Sequence, residues 1–260
     1  KFTETDIKSR LREMLCGKRI AIAAAGNIQA HVVHEFAEQA FGHLVEGDAH
    51  MPAVPKSSSG LVIAPLSVSQ CYLNLGVSWP GVRDGDYIAA VVATAILGGG
   101  MSSRLFQVLR EERGLTYDVG AQSFCYPDTG ALVISAICER RNLDIVLELI
   151  LEQMATLEHD GVREDELGRV IEMLVSQVEM EADSVGARMW RLVETELDFG
   201  RYVSVDETIT RLRRLRREKV AEVIRCWFSQ TECVLVLGGD VDDYRPSELV
   251  AMKTRAVIGK

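Results

Sequence analysis

Apolar positions along the chain follow two periods. Over 6–15, 84–97, 142–158, 164–181 and 184–199 they recur every three or four residues and predict helices; Ile88, Val91, Val92, Ala95 and Ile96 mark one face, and Leu143, Leu147, Ile150, Leu151 and Met154 another. One or two more helices are predicted between Asp206 and Phe228. Shorter apolar runs at 19–25, 61–65, 70–79 and 233–239 read as strands, and 116–124 with 131–138 as a hairpin turning at Pro127-Asp128-Thr129-Gly130. Gly26-Asn27 closes the first strand, and a helix to about Phe41 comes next. A further helix, capped by Ser102 or Ser103, runs through Leu105, Val108 and Leu109 to Arg113 and stops at Gly114.

Two features organise these elements. The stretch 45-VEGDAHMPAVPKSSSG-60 carries two prolines, three consecutive serines and no apolar periodicity, and so predicts an interdomain linker with a boundary near residue 56. Segments 6-DIKSRLREMLCGKRIAIAAAGNI-28 and 218-EKVAEVIRCWFSQTECVLVLGGDV-241 share one order: amphipathic helix, short break, strand, then Gly-Asn or Gly-Asp. If each copy closes a domain, residues 1–55 are the tail of one domain and residues 56–260 are the whole of a homologous second one.

The densest chemistry lies in 96-ILGGGMSSRLFQVLREERGLTYDV-119. It is not a phosphate cradle. Gly98-Gly99-Gly100 fits neither Gly-x-Gly-x-x-Gly nor Gly-x4-Gly-Lys-Ser/Thr, and a helix rather than a strand leads into it. On its residues alone it reads as glycines reversing the chain between two helices, with Arg104, Arg110 and Arg113 as solvated helix residues. As a whole, however, Leu-Gly-Gly-Gly-Met-Ser-Ser-Arg-Leu-Phe-(x)3-Arg-(x)2-Arg-Gly-Leu-(x)-Tyr resembles, without a gap, the second-domain motif of the pitrilysin/insulinase family of zinc metallopeptidases, in its processing-peptidase branch. The resemblance extends over nearly the whole chain: 20-IAIAAAGNI-28 is similar to the closing strand of the family's first domain, and residues 56–240 keep the order of its second.

The resemblance implies an α+β fold, an antiparallel-rich mixed sheet packed on helices, in which two homologous domains face each other as a clamshell. It places Arg110 and Tyr117 at the positions whose side chains reach the scissile peptide. A guanidinium and a phenol there would stabilise the charge that gathers on the peptide carbonyl during attack. Gly98, Gly99, Gly100, Ser102, Ser103 and Arg104 would line the chamber and contact substrate, although helix-turn packing explains the same residues. The family's inverted motif, His-x-x-Glu-His, is missing from this sequence. The nearest arrangement, 31-HVVHE-35, has the wrong order and lacks further ligands at convincing spacing, so His31 and His34 read as exposed helix residues and no metal ligand is assigned.

Zinc is therefore implied for the intact enzyme, bound outside this chain. The chain alone is expected to be inactive and to act with an N-terminal zinc domain, in the same parent chain or in a partner subunit, on a peptide or unfolded protein. A homo- or heterodimer is compatible with this. The alternative is a non-catalytic binding or scaffold subunit of the same family, which would have no need of Arg110 and Tyr117.

Composition narrows the setting. The 260 residues are 47% hydrophobic and 26% charged, with net charge -9, which suits a folded protein and disfavours nucleic acid or an anionic membrane as partner. No apolar run approaches the ~18 residues of a membrane span. The six cysteines contain no Cys-x-x-Cys pair and point, with the missing signal peptide, to a reducing cytoplasm. The basic run 211-RLRRLRREK-219 alternates with Leu212, Leu215 and Val220, as an amphipathic helix pair does. Acidic stretches at 158–166 and 179–183 would, if they face the chamber, attract basic peptides, the presequence-like class that the resemblance to the processing-peptidase branch implies.

Overall fold

A computed structural model describes residues 2–47, 59–229, 233–242 and 244. They divide into two compact units, one of Lys1–Val54 with Ser176–Thr208 and one of Pro55–Val175 with Ile209–Lys260. The linker predicted over 45–60 and its boundary near 56 fall mostly on residues 48–58, outside the described ones.

The first unit holds α1 (Glu4–Met14) and α2 (Ala30–Phe41). Thr3 and Asp6 cap α1 reciprocally: the Thr3 N–H donates to Asp6 Oδ2 at 2.8 Å and the Asp6 N–H to Thr3 Oγ1 at 3.3 Å. Neither helix buries a residue, and Ile7, Leu11 and Met14 on α1, with Leu15 at its C-cap and Val32 and Phe36 on α2, leave apolar faces in solvent. The strand expected over 19–25 does not form among the described residues. A strand is realised only where a neighbour supplies its ladder; just before this run the Gly17 and Lys18 N–H groups bond to Val45 O and Glu46 O.

Within Ser176–Thr208 lies α6 (Val185–Phe199), capped by Ser184 and closed by Gly200 in the left-handed region. Arg191 of α6 donates to Val203 O and Ser204 O at 3.0 Å, tying the helix to the turn that precedes α7 (Val205–Arg213).

The second unit is built on β1 (Gly60–Pro65), β2 (Cys71–Trp79), β3 (Thr116–Cys125), β4 (Gly130–Cys138) and β5 (Cys233–Gly239), ordered β1-β5-β2-β4-β3. Only β1 and β5 are parallel; every other pairing is antiparallel, as an antiparallel-rich mixed sheet requires. Alternate residues of β2 and β5 are buried, so one face of the sheet carries the core: Leu73, Leu75, Leu132, Ile134, Leu235 and Leu237. Onto it pack α3 (Tyr87–Gly98), α4 (Leu143–Asp160) and α8 (Arg217–Phe228), with the buried residues Leu167, Val170, Ile171 and Val175 of α5 (Glu164–Ala182) joining the same cluster. α3 is apolar almost all round and accordingly buries nine residues.

The basic run 211–219 spans the end of α7 and the start of α8, with Leu212 and Val220 buried and Arg213, Arg214 and Arg216 exposed. At the matched glycines of the two segments, Gly26 and Gly239, the backbone takes positive φ, 129° and 95°. β5 supplies the strand in the second copy, whereas the first copy has none.

α3 ends against β3. A Cβ on Gly98 would lie 2.3 Å from the Ala121 backbone nitrogen and 2.8 Å from the Gly120 carbonyl carbon, so only glycine lets the helix approach that closely. Gly98→Ala is expected to lower the unfolding free energy by about 1–3 kcal/mol, read as a drop in the urea midpoint. An unchanged midpoint would mean that the contact yields without cost.

Candidate functional site

From Gly98 the chain enters the loop that leads to Arg104. Gly98 is buried, while Gly99, Gly100 and Ser102 are exposed. The expected serine cap takes another form. Ser103 is 4% exposed and its hydroxyl donates to Gly100 O at 2.6 Å, an oxygen that also accepts the Ser103 N–H at 3.0 Å. Gln107 reaches back with its side-chain amide to Met101 O at 2.6 Å. The loop thus folds onto its own carbonyls.

Arg104, expected among the substrate contacts, is engaged inside the protein. Its guanidinium grips Glu166 of α5 with two bonds of 2.8 Å, from Nε to Oε1 and from Nη2 to Oε2, and Nη2 also donates to Gly161 O at 2.9 Å. Burial alone would push the Glu166 carboxyl up. The Arg104 bonds and charge, with the Arg163 N–H, outweigh it and hold the carboxyl below its ordinary value. The pair forms part of the wall of a cleft of about 610 Å³ that Ser102, Gln107, Gln153 and Arg169 also line.

The helix expected over 102–113 is wound differently. Phe106–Glu112 is a π-helix, a rare winding that is frequent at functional sites. Leu105 and Leu109 remain wholly buried. Arg110 is exposed near its end, with the guanidinium carbon 5.1 Å from the centroid of the Phe106 ring, a cation–π contact. Gly114, at φ 60°, then lets the chain reverse: its N–H bonds to Arg110 O at 3.2 Å and the Leu115 N–H to Leu109 O at 2.8 Å.

β3 begins two residues later with a second irregularity. Thr116 pairs with Cys138 but Asp118 pairs with Ile137, so Tyr117 is the extra residue of a β-bulge. Bulges re-aim side chains beside active sites. Tyr117 is 54% exposed, and its hydroxyl lies 3.3 Å from Glu139 Oε1, which can accept its proton. The two residues expected at the scissile peptide, Arg110 and Tyr117, therefore each stand on a backbone insertion, on either side of Gly114, with their own neighbours: Phe106 for Arg110 and Glu139 for Tyr117. Sequence reasoning missed Glu139 and Glu166, which no motif or period marks, and it quoted Phe106 within the motif without giving it a role. Among the described residues no three His, Cys, Asp or Glu side chains are placed to hold a metal ion. His31 and His34 are both exposed on α2.

Comparison with known proteins agrees with this architecture. Residues 1–174 match the family model described as the peptidase M16 inactive domain. An uncharacterized zinc protease of Mycobacterium bovis is 30% identical over 229 residues, covering 85% of this chain and 52% of the relative. One from Bacillus subtilis is 28% identical and covers 88% and 56%. The chain thus spans about half the length of these relatives. Among solved structures, the peptidase M16 inactive domain from Pseudomonas fluorescens superposes with TM-score 0.76 at 22% identity, over 95% of this chain and 60% of that one. A protease from Helicobacter pylori gives 0.77 at 16%, over 92% and 59%. With the family model covering most of the chain, and with the five-stranded sheet and helices of that fold in place, the chain belongs to the M16 (pitrilysin/insulinase) peptidase family, as its C-terminal, inactive domain.

Proposed function

We propose that this chain is the C-terminal part of a zinc metalloendopeptidase of the processing-peptidase type, which holds an extended peptide and stabilises the charge developing on its scissile carbonyl. The observation that carries this reading is the pair of exposed side chains, Arg110 and Tyr117, each set on an irregular stretch of backbone and separated by the reversal at Gly114. A guanidinium and a phenol hydroxyl are both hydrogen-bond donors, and donors fixed before reaction at a developing oxyanion are the common device of acyl-transfer sites. Gly99, Gly100 and Ser102, exposed on the adjoining loop, leave room for substrate backbone, whereas Arg104 serves the loop itself.

Zinc belongs to the half of the parent that this chain does not contain, and that half is its first partner. The exposed apolar stripes of α1 and α2 support a further packed surface there, since stripes of this kind are normally covered. The net charge of -9 favours basic peptides as substrates. A non-catalytic binding or scaffold subunit is the competing reading.

The test is hydrolysis of an internally quenched basic peptide by the full-length parent with zinc supplied. Arg110→Ala is expected to lower kcat by about 100-fold or more with zinc content unchanged. A parent that cleaves nothing, wild type included, favours the binding subunit; a variant as fast as wild type removes Arg110 from the reaction.

A further inference from the structure

Arg104 opens the helical stretch near whose other end Arg110 stands. Its side chain is 12% exposed and that of Glu166 is 6% exposed, so the ion pair is largely shut away from water. The two parallel bonds to Glu166, the third to Gly161 O and the Arg163 N–H on Glu166 Oε2 at 3.3 Å join the loop to the turn between α4 and α5. A pair of this kind adds little net stability, because the loss of hydration offsets its attraction, and apolar residues of similar volume would often hold the elements together as well. What it supplies is direction: the planar guanidinium fork accepts a carboxylate in one geometry.

Direction matters at this position because Arg104 stands two residues before an unusual winding. A π-helix is less favourable than an α-helix, and a stretch with a free end relaxes to the commoner form. Phe106–Glu112 is held at both ends. The Leu115 N–H closes on Leu109 O at one end. At the other stand Arg104 with its three bonds, Ser103 on Gly100 O and Gln107 on Met101 O. Relaxation to an α-helix would change the turn per residue and swing Arg110 away from its present direction.

We infer that Arg104 and Glu166 are positioning residues: their buried ion pair keeps Phe106–Glu112 wound as a π-helix and thereby sets the direction in which Arg110 meets substrate. The last clause rests on the peptidase reading above; the hold on the segment does not.

The experiment uses the full-length parent and two readouts, amide hydrogen exchange and peptide hydrolysis. In Glu166→Gln, exchange over residues 106–115 is expected to accelerate by about tenfold or more while the β3–β4 hairpin keeps its protection. kcat is expected to fall about 10- to 100-fold with KM little changed, the signature of a misdirected transition-state donor. Should Glu166→Gln fail to fold, Arg104→Lys, which keeps the charge and loses the fork, is read in the same way. The exchanged pair Arg104→Glu with Glu166→Arg is expected to recover protection over 106–115. Unchanged exchange over 106–115 overturns the inference, as does acceleration spread evenly over the chain with kcat unaltered, which marks a merely structural pair. If the wild-type parent cleaves no peptide, the peptidase reading fails, and exchange still decides whether the pair holds the segment.

Discussion

The close approach of α3 to β3 at Gly98 is the constraint around which the second unit is arranged. α3 is too apolar to face water on any side, so it must lie deep against the sheet, and its last turn meets the backbone of Gly120 and Ala121 at a distance that excludes a Cβ. That contact fixes where the glycine loop starts. The chain then has only the residues from Gly99 to Leu115 in which to leave α3, bury Leu105 and Leu109, and return as β3, the strand on which α3 rests. The loop, the π-helix and the reversal at Gly114 all lie inside that circuit.

Irregular backbone is concentrated there. The π-helix and the β-bulge each add a residue beyond the regular repeat, and each costs hydrogen-bond geometry that a regular helix or ladder would keep. Such features persist only where their surroundings hold them. Here the surroundings are named: Arg104 with Glu166 and Gly161 on one side, Leu109 with Leu115 on the other, and the Cys138 and Ile137 partners across β4. Arg110 and Tyr117, carried by the two insertions, are exposed, whereas Leu105, Leu109 and Thr116 beside them are buried. The same circuit thus buries Leu105 and Leu109 and presents Arg110 and Tyr117 to solvent.

The two units differ in how much they bury. The second has a continuous core drawn from strands and helices alike, while the first leaves α1 and α2 without one buried residue. The strand expected over 19–25 is unformed in the same unit, since an extended segment needs a neighbouring strand to become part of a sheet.

Periodicity and turn chemistry determined most of the second unit. The helices at 84–97 and 142–158, the hairpin about Pro127–Gly130, the closing strand and the amphipathic pair around 211–219 were legible because each buries one face and polar or turn residues bound it. The local order around Gly98–Tyr117 and its family likeness were legible for the same reason: they reside in residue types at fixed spacing. Tertiary structure alone decided the rest. Leu105, Val108 and Leu109 span too few turns to tell a π-helix from an α-helix, so the winding under Arg110 depended on how the loop and Leu115 closed on it. The bulge at Tyr117 arises from its register with β4, which no single strand encodes. The partner of Arg104 lies on α5, far along the chain, and an arginine that reads as solvated becomes buried only when folding brings a carboxylate to it.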